Sequence, residues 1–433
     1  MITTARLRHI AQINPGTPAF DKLDAGDDVT FLPMEAVWPD SRLDLSRRRT
    51  KKSVITGYTR FQDGDILVPK ITPTFQASRA VLIGGLHSGV GAGSTELHVV
   101  RPGKSIDPRY LLYLFHTHSF LKLGEAEMYG VAGQQRVPDD FLRDFPVPLL
   151  SLAEQRRIAD FLDAETARIN LMSQLRRSQL GTLEERYVTA ISEVTTPGIS
   201  TARPRSTTWP WLPEDLATVR LGYLARVQSG VTVHGARAKD PEDAVFPYLR
   251  VANVQGERLD LTEIKKITLP RSMAIRSMLQ PGDVVMTEAN GNPDNLGRGA
   301  VWHGQVANMV HQNHVFAIRV DRDKLVPDYL SALLATTHGR RYFRFTSTQV
   351  GIATTSSSKV LDFPVPVRTL SQQRDMVGEY EALRSATDRT RSALAHQLDL
   401  LEERRRSLIT AAVTGQFDVT TASGRNVTEG VAV

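Results

Sequence analysis

A five-residue phrase, Asp-Phe-Pro-Val-Pro, occupies positions 144–148 and returns at 362–366, 218 residues later. Downstream of it the register of 218 holds without a gap. Ser151-Leu-Ala-Glu-Gln-Arg156 lies over Thr369-Leu-Ser-Gln-Gln-Arg374, Leu183-Glu-Glu-Arg186 over Leu401-Glu-Glu-Arg404, and Ile191 over Ile409. Upstream the match is weaker. Gly64-Asp65-Ile66 keeps the same offset to Gly282-Asp283-Val284, as does Leu97-His-Val-Val-Arg101 to Val315-Phe-Ala-Ile-Arg319. Asp107-Pro-Arg-Tyr-Leu111 resembles Val326-Pro-Asp-Tyr-Leu330 at 219, and Arg6-Leu7 resembles Arg220-Leu221 at 214. A repeat of this extent obliges the chain to fold as two copies of one plan.

Each copy is a divergent block followed by a well-matched one: 1–148 and 149–195, then 214–366 and 367–418. The join at 196–213 is rich in Pro, Thr and Ser and reads as a linker, and 419–433 reads as a flexible tail. The matched blocks read as helices. Ser151 with Glu154, and Thr369 with Gln372, form capping boxes in which the hydroxyl and the Glu or Gln side chain each satisfy a free N–H of the first turn. Ile158, Leu162, Ile169 and Met172, then Leu180, Leu183, Tyr187 and Ala190, recur at helical spacing, as do Leu394, Leu398, Leu401 and Leu408. A helix of ~43 residues would be ~65 Å long and needs a partner helix. The other copy is the obvious one, paired antiparallel. A plainer reading makes these helices only a bundle that holds two domains together.

The divergent blocks read as mixed strand and helix. LHVVRP, HVFAIRV, DILVPK and DVVMTE are β-branched runs, and RYLLYLFHTHSFLKL and DYLSALLATTHGRRYF follow a helix-opening proline. The expected fold is mixed α/β: two tandem α/β domains separated by two long antiparallel helices forming a coiled coil, with an internal pseudo-twofold repeat. The prolines of the repeated phrase hold it extended, so it is expected to act as a hinge between each domain and its helix.

The 433 residues suit two to three domains, and the absence of cysteine excludes a disulfide framework or a thiol nucleophile. No run approaches the ~18 apolar residues of a membrane helix, and the N-terminus lacks the apolar core of a signal peptide. A cytoplasmic location is expected. The net charge of +6 permits an anionic partner without demanding one.

The matched blocks resemble a known family. FPVPLLSLAEQRRIADFLD, then LEERYVTAI, is similar to the central region of the specificity subunit of type I restriction-modification enzymes. FPVPVRTLSQQRDMV, then LEERRRSLITAAVTGQFD, is similar to its C-terminal region. The pattern is a proline-containing strand end, an E-Q pair that Gln155 and Gln373 fit, a long helix with L-E-x-x-R near its end, and a V-T-G close. Gln372 stands where Glu is usual, and VTTPG where V-T-G is usual. The resemblance covers the whole chain in architecture, with its sharp motifs confined to the helical blocks. It implies that 1–148 and 214–366 are target recognition domains, each reading one half of a bipartite site on double-stranded DNA. The helices would set the gap and dock two DNA-methyltransferase subunits, with restriction and translocase subunits joining the assembly. The chain itself would catalyse nothing. S-adenosylmethionine, ATP and Mg would belong to the partners, in a host-defence role of DNA methylation and restriction.

Candidate DNA contacts come from polar loops beside predicted strands. In the first half they are Arg48 and Lys51 of RRRTKK, then Lys70, Thr72, Thr74, Gln76 and Arg79, then Gln134, Gln135 and Arg136. In the second they are Asn290, Asn292, Asn295 and Arg298, then Gln349, Thr354, Thr355 and Ser356. Lys and Arg suit phosphates and guanine, Gln suits adenine, and the polar, Gly-interrupted loops of the second half suit major-groove reading. Ordinary solvated loops would have the same composition.

Enzyme signatures are weaker. GGLHSGVGAGST lacks the Gly-Lys-Ser/Thr ending of a phosphate-binding loop, and no N-P-P-aromatic stretch of an adenine methyltransferase occurs. The histidine pairs His116/His118 and His311/His314 have no third ligand at useful spacing, so no metal is expected. A helical adaptor without DNA, and less readily a DNA-modifying enzyme, are the competing readings.

Overall fold

The structure is a computed structural model that describes residues 3–38, 42–131, 133–232, 241, 243–291, 296–350 and 352–419. The chain divides into two compact units, 1–176 with 395–433, and 177–394. Each unit holds one divergent block with portions of both long helices.

The first repeat carries two four-stranded sheets. One runs in the order Ala11–Ile13, Leu97–Pro102, Ile66–Pro69, Val81–Leu82, all antiparallel. The other runs Arg48–Thr50, Asp28–Leu32, Val90–Gly93, Thr59–Gln62, with its two central strands parallel. Helices Pro108–Phe115 and His118–Ala126 follow; Asp107 caps the first by accepting from the N–H groups of Arg109 and Tyr110. Phe120 sits amid Phe75, Phe115, Phe141 and Phe145 in the core.

The second repeat keeps this plan. Ala225–Gln228, Val315–Val320, Val284–Thr287 and Gly299–Val301 form its first sheet, and Lys265–Pro270, Asp243–Leu249 and Val310–His311 its second, which has three strands and keeps one parallel pair, between Asp243–Leu249 and Val310–His311. Ile66 opposite Val100 becomes Val284 opposite Ile318, both shifted by 218. A small third sheet is added, in the order Ala289–Asn290, Ile352–Thr354, Thr348–Val350.

The shared Gly-Asp motif has a structural cause. Gly64 and Gly282 take φ of 88° and 94°, which a side chain would oppose. The next residue buries a carboxylate. Asp65 accepts from the N–H of Gln62 and from both arms of Arg101 at 2.7 and 2.9 Å. Asp283 does the same with Gln280 and with Arg319 at 2.8 and 2.7 Å. Both carboxylates are 1% exposed, so each charge requires its guanidinium.

The repeated proline phrase is a clasp rather than the expected hinge. Pro146–Pro148 pairs antiparallel with Thr4–Arg6, and Pro364–Pro366 with Thr218–Arg220. Flanking bonds complete each ladder: Leu7 N–H to the Phe145 carbonyl at 3.0 Å, and Leu221 N–H to that of Phe363 at 2.9 Å. Among the described residues the phrase has a single pairing strand, so the missing proline donors fall on an edge that needs none. Asp144 pairs with Arg6 and Arg8, and Asp362 with Arg220. Val147 and Val365 are buried and point into the cores.

The long helices run Leu152–Thr195 and Leu370–Val413, 44 residues each. Both capping boxes form. The Ser151 N–H donates to Glu154 at 2.9 Å and the Thr369 N–H to Gln372 at 2.9 Å. Within the first unit Ile158, Ala159, Leu162 and Ile169 pack with Leu408, Ile409, Ala412 and Val413, so the start of one helix meets the end of the other. Within the second, Tyr187 and Ile191 pack with Tyr380, and Glu184 pairs with Arg391 at 2.8 Å, again antiparallel. The predicted stripe holds at Ile158, Leu162, Ile169, Tyr187 and Leu408, whereas Met172 is exposed, beside Leu171 and Leu175.

Gln155 and Gln373 fasten each helix to its own repeat. The Gln155 carbonyl accepts from Asp107 N–H at 2.7 Å, and its amide donates to the carbonyls of Ser105 and Leu150 at 3.2 and 2.9 Å. Gln373 accepts from Val326 N–H at 2.8 Å and donates to the carbonyls of Lys324 and Arg368, both at 3.0 Å. At 0% and 2% exposure, a neutral amide meets three backbone groups without burying a charge.

The segment 196–213 is packed rather than a solvated tether. Ile199, Trp211 and Leu212 enter the core of the second repeat. The Trp211 indole N–H donates to His338 Nδ1 at 3.0 Å, which leaves His338 Nε2–H to donate to the Pro364 carbonyl at 2.7 Å. Residues 420–433 of the expected tail lie outside the described residues.

Candidate nucleic-acid interface

In both repeats the loop after a central strand is drawn against the segment that precedes the clasp. In the first repeat Ile71 bridges Arg136, Thr72 N–H donates to the Gln135 carbonyl at 3.0 Å, and Val137 N–H to that of Lys70 at 2.8 Å. In the second, Ala289 bridges Thr354 and Thr355 N–H donates to the Glu288 carbonyl at 2.9 Å. The structure thus brings Lys70 and Thr72 together with Gln135 and Arg136, and the Asn290 backbone together with the strands of Gln349 and Thr354.

Several of these residues have partners within the chain. Arg136 grips Glu96 with two bonds of 2.9 and 2.8 Å, and that hydrogen bonding holds the Glu96 carboxyl below its ordinary range. Thr72 Oγ1 accepts from Gln135 N–H at 3.2 Å, Thr74 Oγ1 donates to the Ile71 carbonyl at 2.7 Å, and Gln76 donates to Glu125 at 2.6 Å. Arg79 donates to the Val37 carbonyl at 3.2 Å. The Lys51 ammonium donates to the carbonyls of Asp21 and Leu23, which makes it a loop anchor. Arg48 lies on an exposed edge strand and contacts His87. Gln134 is exposed, and its carbonyl accepts from Arg136 at 3.2 Å.

In the second repeat Arg298 is half-buried, and its carbonyl accepts from Thr287 N–H at 3.2 Å. Thr355 is buried, and Ser356 caps the short helix Ser357–Leu361. Asn292 and Asn295 lie outside the described residues. Sequence reasoning missed a basic pair here. Lys265 and Lys266 stand on the edge strand opposite Tyr248 and Pro247, where the first repeat has Arg47 and Arg48. The offset of 218 alone would have found them.

A cleft of about 420 Å³ in the first repeat is lined by Asn14, Thr17, Tyr58, Arg60 and Lys70. Among the described residues no group of three or more His, Asp or Glu is placed to hold a metal ion, and no helix is long and apolar enough to cross a membrane.

No family model matches the chain. Over 185 residues it is 40% identical to the specificity subunit of the type I restriction enzyme EcoAI of Escherichia coli, which covers 41% of this chain and 30% of that protein. Over 159 residues it is 42% identical to the EcoEI specificity subunit of Escherichia coli, covering 35% and 25%. The matched stretches therefore span less than a third of those two relatives. The EcoKI specificity subunit of Escherichia coli K12 is 24% identical over 280 residues, covering 63% and 57%. In fold, 96% of the chain aligns with 98% of a chain from a structure concerning complex assembly and conformational transition of the type I R-M system, with a TM-score of 0.73 and 17% identity. The HsdS subunit from Thermoanaerobacter tengcongensis aligns with a TM-score of 0.49. By sequence the chain is similar to specificity subunits, and its fold is shared with the chain that aligns at a TM-score of 0.73.

Proposed function

We propose that the chain is the DNA-sequence specificity subunit of a type I restriction-modification complex. Domains 1–148 and 214–366 each read one half-word of a bipartite site on double-stranded DNA. The helical blocks 149–195 and 367–418 hold the readers and leave an unread gap, across which phosphate contacts carry no sequence information. The observation that carries this reading is the duplicated attachment: each clasped domain is riveted by a buried glutamine to its own 44-residue helix. Two readers held in this way address two words rather than one.

The subunit is non-catalytic. Two methyltransferase subunits dock on the helices, where Leu171, Leu175 and Leu400 are 57, 56 and 49% exposed within the first unit. Restriction and translocase subunits complete the assembly in the cytoplasm. S-adenosylmethionine, ATP and Mg act in those partners. Methylome sequencing of a host carrying the complete system tests the proposal. Methylation at a two-part motif with a fixed gap is the expected result. Methylation by this chain alone would make it an enzyme, and a complex indifferent to DNA sequence would make it an adaptor.

A further inference from the structure

The duplication supplies an internal control on what each side chain is for. Three positions lie where the loop, the strand and the pre-clasp segment converge: 70, 96 and 136 in the first repeat, and 288, 314 and 354 in the second. The backbone there is the same in both. Lys70 N–H donates to the Glu96 carbonyl at 3.0 Å, and Glu288 N–H to that of His314 at 2.9 Å. The residue after Lys70 bridges Arg136, and the residue after Glu288 bridges Thr354. Val137 N–H returns to the Lys70 carbonyl at 2.8 Å, and Thr355 N–H to the Glu288 carbonyl at 2.9 Å.

The side chains on this shared frame differ in kind. The first repeat presents an ammonium, a carboxylate and a guanidinium, and the second a carboxylate, an imidazole and a hydroxyl. They are partly open to solvent: Arg136 and Glu96 are 39 and 25% exposed, His314 and Glu288 53 and 30%. The buried ion pair at the other end of the same two strands behaves oppositely, for Asp65–Arg101 and Asp283–Arg319 are the same residues with the same geometry. A pair that only holds the frame is kept in both copies. A half-open triplet whose chemistry changes on an unchanged frame is suited to meeting a different surface in each.

We infer that 70/96/136 and 288/314/354 are the equivalent specificity triplets through which each reader meets its half-word. The inference rests on the DNA-specificity reading above and assigns residues within it. In the first triplet Arg136 holds Glu96 through Nε and Nη2 and reaches the Gln134 carbonyl through Nη1. The terminal Nη1/Nη2 edge of its guanidinium fits the guanine O6/N7 acceptors, and the remaining lone pairs of the Glu96 carboxylate fit the cytosine N4 amine of the same base pair. A G·C pair is therefore assigned to the first half-word where this triplet docks. In the second triplet Glu288 offers a carboxylate acceptor and Thr354 a hydroxyl, without a guanidinium fork.

The test uses the full chain co-expressed with its cognate modification subunit, read by methylome sequencing and by competition binding of the purified complex. A triple exchange, Lys70→Glu with Glu96→His and Arg136→Thr, is expected to change one position of the first half-word and to leave the second half-word and the gap unchanged. The retained second word shows that the complex has assembled. Arg136→Lys keeps the charge and removes the fork, and is expected to relax the preference at one base pair by roughly 5- to 150-fold. An unchanged first word in both variants overturns the triplet. So does a change in both words at once. If the wild-type complex recognises no bipartite site, the specificity reading itself fails, which is a separate outcome.

Discussion

The two repeats are held to the helices by opposite chemistry. In the first, the domain supplies the cation and phenol: Arg109 reaches Asp160 and Asp163 at 2.7 Å, and Tyr113 donates to Asp163 at 2.7 Å. In the second, the domain supplies the carboxylate: Glu257 accepts from Tyr187 at 2.7 Å and lies 3.8 Å from Arg384. The clasp, the buried Asp–Arg pair and the glutamine rivet are unchanged between them. The difference separates two kinds of polar contact. Those that satisfy backbone groups or a fully buried charge are fixed by geometry, whereas lateral contacts need only be complementary and can reverse sign.

The sharpest way to break that comparison is to remove a carboxylate from the kept pair. Asp65→Ala strands the Arg101 guanidinium, and Asp283→Ala strands Arg319. Each should cost ~3–5 kcal/mol in chemical denaturation, with the two repeats suffering alike. Unequal losses would show that the copies are not energetically equivalent. The rivets come next. Gln155→Leu and Gln373→Leu leave three backbone groups unpaired in a buried site, and each should cost about 2–4 kcal/mol. A cost below about 0.5 kcal/mol in either, measured by urea unfolding, would remove the rivet from the shared frame.

Acid sharpens the comparison further, because each repeat buries neutral histidine. Burial pushes His116 down to about 3 in the first repeat and His338 down to about 4 in the second. Burial lowers His98 and His311 as well. An unfolded histidine takes up a proton near pH 6.5 while the folded one does not, so stability is full above that pH and declines below it. The slope is roughly 1.4 kcal/mol per pH unit for each histidine until its folded value is reached. His338→Gln, whose amide can still accept from Trp211 and donate to the Pro364 carbonyl, should flatten the slope of melting temperature between pH 6.5 and 5. An unchanged slope would exclude His338 as a contributor. The smallest effect is expected at the half-exposed pair Glu184–Arg391, where a double-mutant cycle should return ~0–1 kcal/mol.

Legibility in the sequence followed the range of the interaction. The helices were readable because their caps and spacings are local: Ser151 with Glu154, and Thr369 with Gln372, act within one turn. The clasp was not, because Val147 pairs with Ala5, which lies at the other end of the domain. The candidate site was legible as segments and less so as side chains. Lys51 and Arg136 read as free cations, but tertiary partners far along the chain, Asp21 and Glu96, engage them. Met172 fitted the apolar stripe, yet a helix this long changes partners along its length, and its face there is uncovered.

The clasp also bears on how such a molecule can be rebuilt. Thr4 lies opposite Pro148, and Thr218 opposite Pro366, so each domain begins and ends at the same place. A module closed on itself in this way can be exchanged as a cassette, since the ends left behind need not stretch to meet a replacement. Exchange of a whole block in this way leaves the two long helices untouched.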